Sequence, residues 1–467
     1  MSIVLSEGKL KVQYSKLLLY SIAAFLVFEG LDAYSVNNIP IYWLGVSFLL
    51  LVFVVIYSQG FRNSSYNFVS IRNWVLYGVL ITLFQSIFND VVLPKYASTT
   101  YVQYISLRLL RLIFFLLVIY CLDYILEKYS FEHILKFFLV SSLFISILSL
   151  ISYFSYIYGY NDFPRTRPGS GGWTQPIERA CNILRNYGTF REPSFLAIWT
   201  VPFIPYFFYM GKFKKIWYVL STIPILSIVL SRSLTGVMAF LISSFVVLSI
   251  ILLVNKKIEF NLIALMGLFI FAVFASSIFS FQFPPDDNYC SEVVGDCVCY
   301  TEDRLDELKS SRNVSEAIFG RFQEIATQGL DAFTNTAFLI EYIQNQGFSV
   351  FGDGYGYSNI TFSYAADEAS KQLRDNQIFY RNPGQVVSFN NLYANILMST
   401  GLIGLLWFLY ILIDIFRKLV FRITPVQPYV LISFISILFM YSYQAEEIAA
   451  HLAIVIAFAL NLQKNEK

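Results

Sequence analysis

Long apolar stretches separated by short polar turns run through most of this chain. A helix that crosses a bilayer needs roughly 20 mostly apolar residues, at about 1.5 Å of rise per residue. The pattern therefore predicts about twelve transmembrane helices. They cover 16–34, 40–58, 73–93, 104–126, 133–160, 193–210, 215–233, 235–254, 259–282, 389–414, 426–443 and 446–463.

Composition supports a membrane protein, since 57% of the residues are hydrophobic and only 14% are charged. Water-soluble domains of this length seldom have such values. We find no internal repeat, low-complexity tract or flexible interdomain linker. The sequence thus predicts an all-α polytopic membrane protein that forms a single transmembrane domain over 1–467, with one large loop at 283–388.

Basic residues indicate the orientation, because they are retained in short cytoplasmic loops. The basic residues concentrate in every second connection between the predicted helices. Both termini are therefore expected to be cytoplasmic, and segments 161–192 and 283–388 extracytoplasmic. The first helix is expected to be retained, since its start is weakly charged and lacks a small-residue cleavage site. The residues that set this orientation include Lys9, Lys11, Lys16, Arg62, Arg72, Lys128, Lys136, Lys212, Lys214, Lys215, Lys256, Lys257, Arg417, Lys418 and Arg422.

The two long outward segments have opposite charge. Segment 283–388 contains 16 acidic and 7 basic residues, whereas 161–192 contains five arginines and three acidic residues. A guanidinium suits phosphate oxygens and stays charged at any accessible pH. The cluster predicts a site for an anionic lipid head group; the alternative is pairing with the acidic insertion. Its members are Arg165, Arg167, Arg179, Arg185 and Arg191.

Three further arginines fall near the same predicted membrane face. Arg232 ends the seventh predicted helix, where outward short loops otherwise avoid positive charge. Arg108 and Arg111 share one face of the fourth helix by their i, i+3 spacing. Arg108 lies about 10 Å outward of that helix's midpoint, so snorkelling to the interface is its alternative role.

Three of the five cysteines are candidates for a disulfide or a zinc site. Cys290, Cys297 and Cys299 lie in the outward insertion. An oxidising compartment would permit a disulfide between Cys290 and either Cys297 or Cys299. A zinc site is the alternative, but it lacks a nearby histidine and a fourth thiol. Cys121 and Cys181 are interpreted as structural.

Four motifs in order resemble the O-antigen polymerase and ligase superfamily, most closely the Wzy-type polymerases of surface polysaccharides. They are "RNYGTFREPSFLA", "LSRSLTGVMAFL", "FGDGYGYSN" and "NNLYANILMSTGLIGLL", over about 185 to 405. The resemblance implies the architecture of lipid-dependent membrane glycosyltransferases, in the bacterial cytoplasmic membrane with the active site facing outward. It also implies transfer of glycans from undecaprenyl diphosphate, with a chain-length regulator as a candidate partner.

The resemblance assigns site residues. Arg185 matches the arginine of the R-x-x-G-x-F element, and Glu192 matches the glutamate of the E-P element. Arg232 matches the arginine at the outer end of helix seven, and Arg321 the one before the G-x-G turn. Ligases of the superfamily have a histidine where this chain has Asn390, next to Asn391, which favours a polymerase.

The expected reaction is inverting attack of an acceptor hydroxyl on the anomeric carbon. Arginines stabilise the leaving diphosphate without a metal, and neither a D-x-D triplet nor a Gly-Lys-Ser/Thr loop occurs. No metal, cofactor or nucleic-acid partner is therefore expected. Glu192 is the first candidate base, with pairing to Arg185 or Arg191 as its alternative role. Glu447 and His451 form a second candidate pair, with helix packing as theirs.

The acidic insertion is expected to contribute shape. Its apolar residues from Ser311 to Gln344 recur at helical spacing and predict an amphipathic helix, with Arg321 beside the apolar stripe. Tyr355 and Tyr357 are candidates for stacking on a sugar ring. A flippase for lipid-linked oligosaccharides is the rival class, but such a transporter is expected to place charge near the membrane midplane and often has repeated halves.

Overall fold

The computed structural model describes residues 2–36, 39–58, 66–88, 100–158, 166, 185–255, 260–278, 342–344, 347–373, 386, 388–389, 391–421, 424–442 and 449–462. Fifteen α-helices and one two-stranded antiparallel pair, β1 (Ser35–Val36) with β2 (Ile39–Pro40), form this part of the chain. The helices are α1 Ser2–Gly30, α2 Ile41–Ser58, α3 Tyr66–Phe88, α4 Tyr101–Lys128, α5 Phe131–Ile157, α6 Pro193–Thr200, α7 Ile204–Gly211, α8 Ile216–Leu220, α9 Thr222–Ser231, α10 Leu234–Asn255, α11 Phe260–Ile278, α12 Tyr357–Leu373, α13 Leu392–Val420, α14 Gln427–Tyr441 and α15 Ala450–Asn461.

Each of the twelve predicted apolar segments contains helix. The sixth is divided into α6, a 3₁₀ turn at Val201–Phe203, and α7. Pro202 and Pro205 account for the division, because proline lacks the amide hydrogen that a continuous helix requires. The seventh is divided into α8 and α9.

Six helical segments within the described residues are long and apolar enough to cross a membrane. They are Phe68–Phe88, Tyr101–Lys128, Phe131–Ser155, Pro193–Gly211, Thr235–Val254 and Leu392–Val420. The chain is therefore a helical protein of membrane type. Twelve crossings, the orientation and the large outer loop stay predictions.

The chain divides into two compact units. Unit 1 consists of 1–62, 124–323 and 423–437, and unit 2 of 63–123, 324–422 and 438–467. In unit 1, α1 packs on α2 and α5, and α5 packs on α9. In unit 2, α3 packs on α13, where the buried Trp74 ring lies 4.8 Å from the Phe408 ring.

Helix α13 is interrupted in unit 2. Gly401 has φ 71° and ψ −175°, which breaks the helical hydrogen bonding there. The loop 349–356 fills the break: Asp353 N donates to Met398 O at 2.9 Å and Gly354 N to Ser399 O at 2.8 Å. Exposed backbone groups are costly in apolar surroundings, so the loop and the broken helix stabilise each other.

Several predicted features lie outside the described residues. The amphipathic helix predicted for 311–344 is described only at 342–344, which are helical. Ten residues named in the sequence analysis also lie outside the described residues: Arg165, Arg167, Arg179, Cys181, Cys290, Cys297, Cys299, Arg321, Asn390 and Glu447.

Candidate functional site

An anchored turn at 185–190 forms the centre of the candidate site in unit 1. The buried Asn186 side chain connects it to two helices: Oδ1 accepts from Ser149 Oγ of α5 at 3.0 Å, and Nδ2 donates to Ser227 O of α9 at 3.1 Å. Oδ1 also accepts from Gly188 N at 3.0 Å. One amide thus fixes the conformation of the turn and its place between α5 and α9.

Gly188 allows the turn to approach α5 closely. Its φ is +53°, and a Cβ at this position would lie 2.1 Å from Ser149 Oγ. A side chain is therefore excluded by conformation and by space. The next residue, Thr189, accepts a hydrogen bond from Ala33 N at 3.0 Å through its carbonyl, which ties the turn to the end of α1.

Arg185 and Arg232 meet at this end of unit 1. Arg185 Nε donates to Ser231 O at 3.2 Å, on the residue that precedes Arg232. Arg232 itself follows the last turn of α9 and lies within electrostatic range of the Tyr153 hydroxyl on α5. Both arginines are half-buried. The structure thus places the Arg185 guanidinium against the backbone of the residue that precedes Arg232.

The backbone of Arg232 is left-handed, with φ 49° and ψ 30°. Among the described residues, no other non-glycine residue has a positive φ. A residue with a Cβ pays roughly 1–2 kcal/mol for this conformation. Such strain at a turn between two helices is typical of functional positions.

Arg191 is held by an acidic residue that the sequence reasoning missed. Its Nε lies 2.8 Å from Asp32 Oδ2, and its guanidinium carbon lies 5.0 Å from the centre of the Phe195 ring. Asp32 follows α1 directly, so only the folded chain shows that it reaches Arg191. The positive charge of Arg191 is therefore partly compensated, which makes it a weaker phosphate ligand than predicted.

Glu192 is exposed at the start of α6. Its Oε2 accepts from Ser194 Oγ at 3.2 Å, and within the described part of the chain it forms no ion pair. The alternative role, pairing with Arg185 or Arg191, is not observed there. The carboxylate is accessible for a proton-accepting role, which stays a prediction.

Thr166 is the one described residue between 159 and 184, and it contacts Ser35 of unit 1. It lies between Arg165 and Arg167 in the sequence and accepts a hydrogen bond from Ser35 N at 2.7 Å. Thr166 Oγ1 also donates to Ser35 O at 2.8 Å. Ser35, the partner of Thr166, is three residues from Asp32, which forms the ion pair with Arg191.

An apolar groove runs along α5 beside this site. It has a volume of about 390 Å³. Its lining residues are Ile147, Leu150, Ile151, Phe154, Ser155, Tyr158 and, from α9, Ile223. Ile223 lies one helical turn before Ser227, which binds the Asn186 amide. The groove therefore begins close to the anchored turn and extends roughly 16 Å along α5, at 1.5 Å per residue.

The remaining predicted residues that are described lie in unit 2. Arg108 Nη2 donates to Tyr104 Oη at 2.9 Å, and Arg111 is half-buried on the same helix. Asn391 caps α13: its Oδ1 accepts from Ala394 N at 3.0 Å, and its Nδ2 donates to Ser442 O at 2.7 Å. These contacts use both ends of the amide, so Asn391 has a structural role as a helix cap; its substrate contact stays a prediction.

His451 and Tyr355 are buried. His451 is 6% exposed, and its Nε2 lies 3.2 Å from Tyr441 Oη, which supports the packing alternative over a base. Tyr355 is 5% exposed, and burial raises its pKa. The Tyr355 ring is therefore enclosed by the protein, whereas Tyr357 is half-exposed; the sugar contacts of both residues stay predictions.

Asp353 is the second acidic residue that the sequence reasoning missed. It lies in the loop that fills the break in α13, and partial burial raises its pKa above the ordinary aspartate value. Its carboxylate has no hydrogen-bond or ion-pair partner among the described residues. Its position between two glycines of "FGDGYG" was the available signal.

The fold and the site define a helical membrane-type protein with cationic side chains at one end of unit 1. Within the described residues, no group of histidine, cysteine and acidic side chains could hold a metal ion. No protein-family model, curated protein or solved structure matches the chain. The likeness to surface-polysaccharide polymerases therefore rests on the sequence motifs.

Proposed function

We propose that the protein is an inverting membrane glycosyltransferase that polymerises oligosaccharide repeat units carried on undecaprenyl diphosphate. The observation that supports this most is the meeting of Arg185 and Arg232, with Arg185 Nε 3.2 Å from Ser231 O. Two guanidiniums at one helix end suit a diphosphate. Arg191, Arg165 and Arg321 are proposed to extend this field.

In the proposed reaction, the bond between the anomeric carbon and the diphosphate oxygen breaks, and the electron pair leaves with the lipid diphosphate. Arg185 and Arg232 stabilise the charge that develops on this leaving group. The acceptor hydroxyl forms the new bond from the opposite face, and its proton passes to a carboxylate. Glu192 is the proposed base, because it is exposed and close in sequence to the anchored turn.

The groove on α5 is proposed to hold the prenyl chain of the donor. A lipid whose head group binds Arg185 and Arg232 must place its chain along an adjoining apolar surface. The groove provides such a surface on the helix that contacts the turn through Ser149. Burial of apolar chain contributes about 25 cal/mol per Å².

The test is incubation of the purified protein with the lipid-diphosphate oligosaccharide as sole substrate. We expect products of two or more repeats, and about 10²- to 10³-fold slower formation by Arg185→Ala and Arg232→Ala. Arg72→Ala is a matched control, since Arg72 is an exposed arginine of the other unit. Equal rates in the two site variants and the control would refute the assignment.

The same assay separates the other functions. A ligase of the same superfamily would transfer the glycan only to an added lipid acceptor of different structure. A flippase would yield no new glycosidic bond and would instead move the lipid across vesicle membranes. The outward arginine site, with no charge pattern repeated in two halves, favours the polymerase.

A further inference from the structure

In unit 2, polar groups without internal partners meet around the loop that fills the break in α13. Asp353 carries one of them, a half-exposed carboxylate. Thr361 links two tyrosines, because its Oγ1 accepts from Tyr342 Oη at 3.4 Å and donates to Tyr357 O at 3.5 Å. The Tyr342 hydroxyl also lies within electrostatic range of Asp353, and the Tyr101 hydroxyl within range of Tyr357. The tyrosine–aspartate cluster consists of Asp353, Tyr342, Tyr357 and Tyr101.

Three members of this cluster have unused hydrogen-bonding capacity. The Tyr101 hydroxyl is buried without a partner. The side chains of Asp353 and Tyr357 have no polar partner among the described residues. Tyr342 does have one, since its hydroxyl donates to Thr361 Oγ1 at 3.4 Å. A buried polar group is normally paired, so the unpaired Tyr101 hydroxyl near the half-exposed Tyr357 side chain indicates a ligand.

The backbone that carries the cluster is rigid. Gly352 and Gly401 cross so closely that a Cβ on Gly352 would lie 2.4 Å from Gly401 N. Gln85 Nε2 donates to Gly352 O at 3.1 Å, and Tyr355 N donates to Thr82 Oγ1 at 2.8 Å. These contacts fix the loop on both sides of Asp353. A site prepared in this way binds without a large ordering cost.

The chemistry of the cluster selects the class of ligand. A carboxylate accepts hydrogen bonds from hydroxyl groups, and phenol hydroxyls both donate and accept. Tyrosine rings also provide apolar faces. The cluster has one acidic group, which disfavours an anionic ligand such as a phosphate. A neutral polyhydroxylated molecule matches all of these features.

We propose that the tyrosine–aspartate cluster is a binding site for the saccharide part of the substrate, with Asp353 accepting from sugar hydroxyls and Tyr357 and Tyr101 contacting the ring. The choice of saccharide as ligand rests on the proposed function. The site itself would bind sugar without lipid or diphosphate. This separates it from the arginine site of unit 1.

The probe is the repeat-unit oligosaccharide released by mild acid from the lipid-linked pool of the source cells. It has lost the lipid and the diphosphate. Binding to the full-length protein in lipid nanodiscs is measured by saturation-transfer NMR and calorimetry. We expect binding to the wild type and to Arg185→Ala alike, and about tenfold or weaker binding to Asp353→Asn and Tyr357→Phe.

Tyr410→Phe is the matched control, because it removes an exposed tyrosine hydroxyl of α13. Thermal unfolding confirms that each variant is folded. Unchanged binding in Asp353→Asn and Tyr357→Phe would overturn the proposal and indicate simple hydration of the carboxylate. Absence of binding to the wild type would also overturn it. Saccharide binding without chain extension would refute the polymerase function and leave this site standing.

Discussion

Arg232 allows the functional and structural roles of one residue to be separated. Its left-handed backbone is unfavourable for arginine and for alanine alike, but acceptable for asparagine and glycine. Replacing Arg232 by asparagine, glycine or alanine removes the same charge in all three variants. Only the first two relieve the backbone strain.

The magnitudes follow from the geometry. A residue with a Cβ pays roughly 1–2 kcal/mol in this conformation. Glycine regains this but loses about 0.5–1 kcal/mol to the entropy of the unfolded chain. We therefore expect the free energy of unfolding of Arg232→Asn and Arg232→Gly to exceed that of Arg232→Ala by up to about 1 kcal/mol. Loss of a group that stabilises transition-state charge should reduce chain extension about 10²- to 10³-fold in all three.

The two quantities are measured separately. Unfolding is followed in detergent by tryptophan fluorescence, since Trp199 of unit 1 is 1% exposed. Chain extension is followed with the lipid-linked substrate in vesicles. The reasoning fails if asparagine and glycine destabilise the protein by more than about 2 kcal/mol relative to alanine, because the backbone would then not be strained. It also fails if any of the three variants extends chains at the wild-type rate.

Three further predictions follow from the described contacts. Gly188→Ala should destabilise the protein by about 2–4 kcal/mol, from its positive φ and the clash with α5, as measured by thermal unfolding. Burial raises the pKa of Asp353, so ionisation of this side chain destabilises the folded protein as pH rises through the folded-state pKa. Asp353→Asn should therefore have a larger free energy of unfolding than the wild type at pH 7. This difference should vanish below about pH 4, where the carboxyl is protonated in both states. Equal stability at pH 7 would contradict this. Ile151→Trp should raise the KM for a long-chain donor about tenfold but not for a short-chain analogue, whereas Val140→Trp, an exposed position outside the groove, should change neither.

Apolar patterning predicted where helices occur, because burial in lipid or protein core requires long runs of apolar residues. It did not predict that α6 and α7 are separate helices or that α13 breaks at Gly401. Those features depend on which segment satisfies the freed backbone groups. For α13 that segment is the loop around Asp353, which lies about fifty residues earlier in the chain.

The site shows the same limit. The alternation of loops predicted that Arg185 and Arg232 both face the outer side of the membrane, which stays a prediction. The contact of Arg185 Nε with Ser231 O is the observation that concerns the two positions. The partner of Arg191 was not predictable, because Asp32 lies more than 150 residues away. Tyr355 and Tyr357 looked equivalent in sequence. Gly356, with a positive φ, redirects the chain between them, and one ring is buried while the other is half-exposed.

The anchored turn explains how two like charges are held at one helix end. If both guanidiniums bind one diphosphate, as proposed, they repel each other in its absence, and this repulsion grows where the surroundings exclude water. Asn186 offsets it with hydrogen bonds to Ser149, Ser227 and Gly188, each worth about 1 kcal/mol net. An anion that contacts both guanidiniums would convert the repulsion into attraction, whereas a neutral lipid would not. The proposed function therefore requires a doubly charged head group at this place, and the anchored turn holds Arg185 beside Ser231 in its absence.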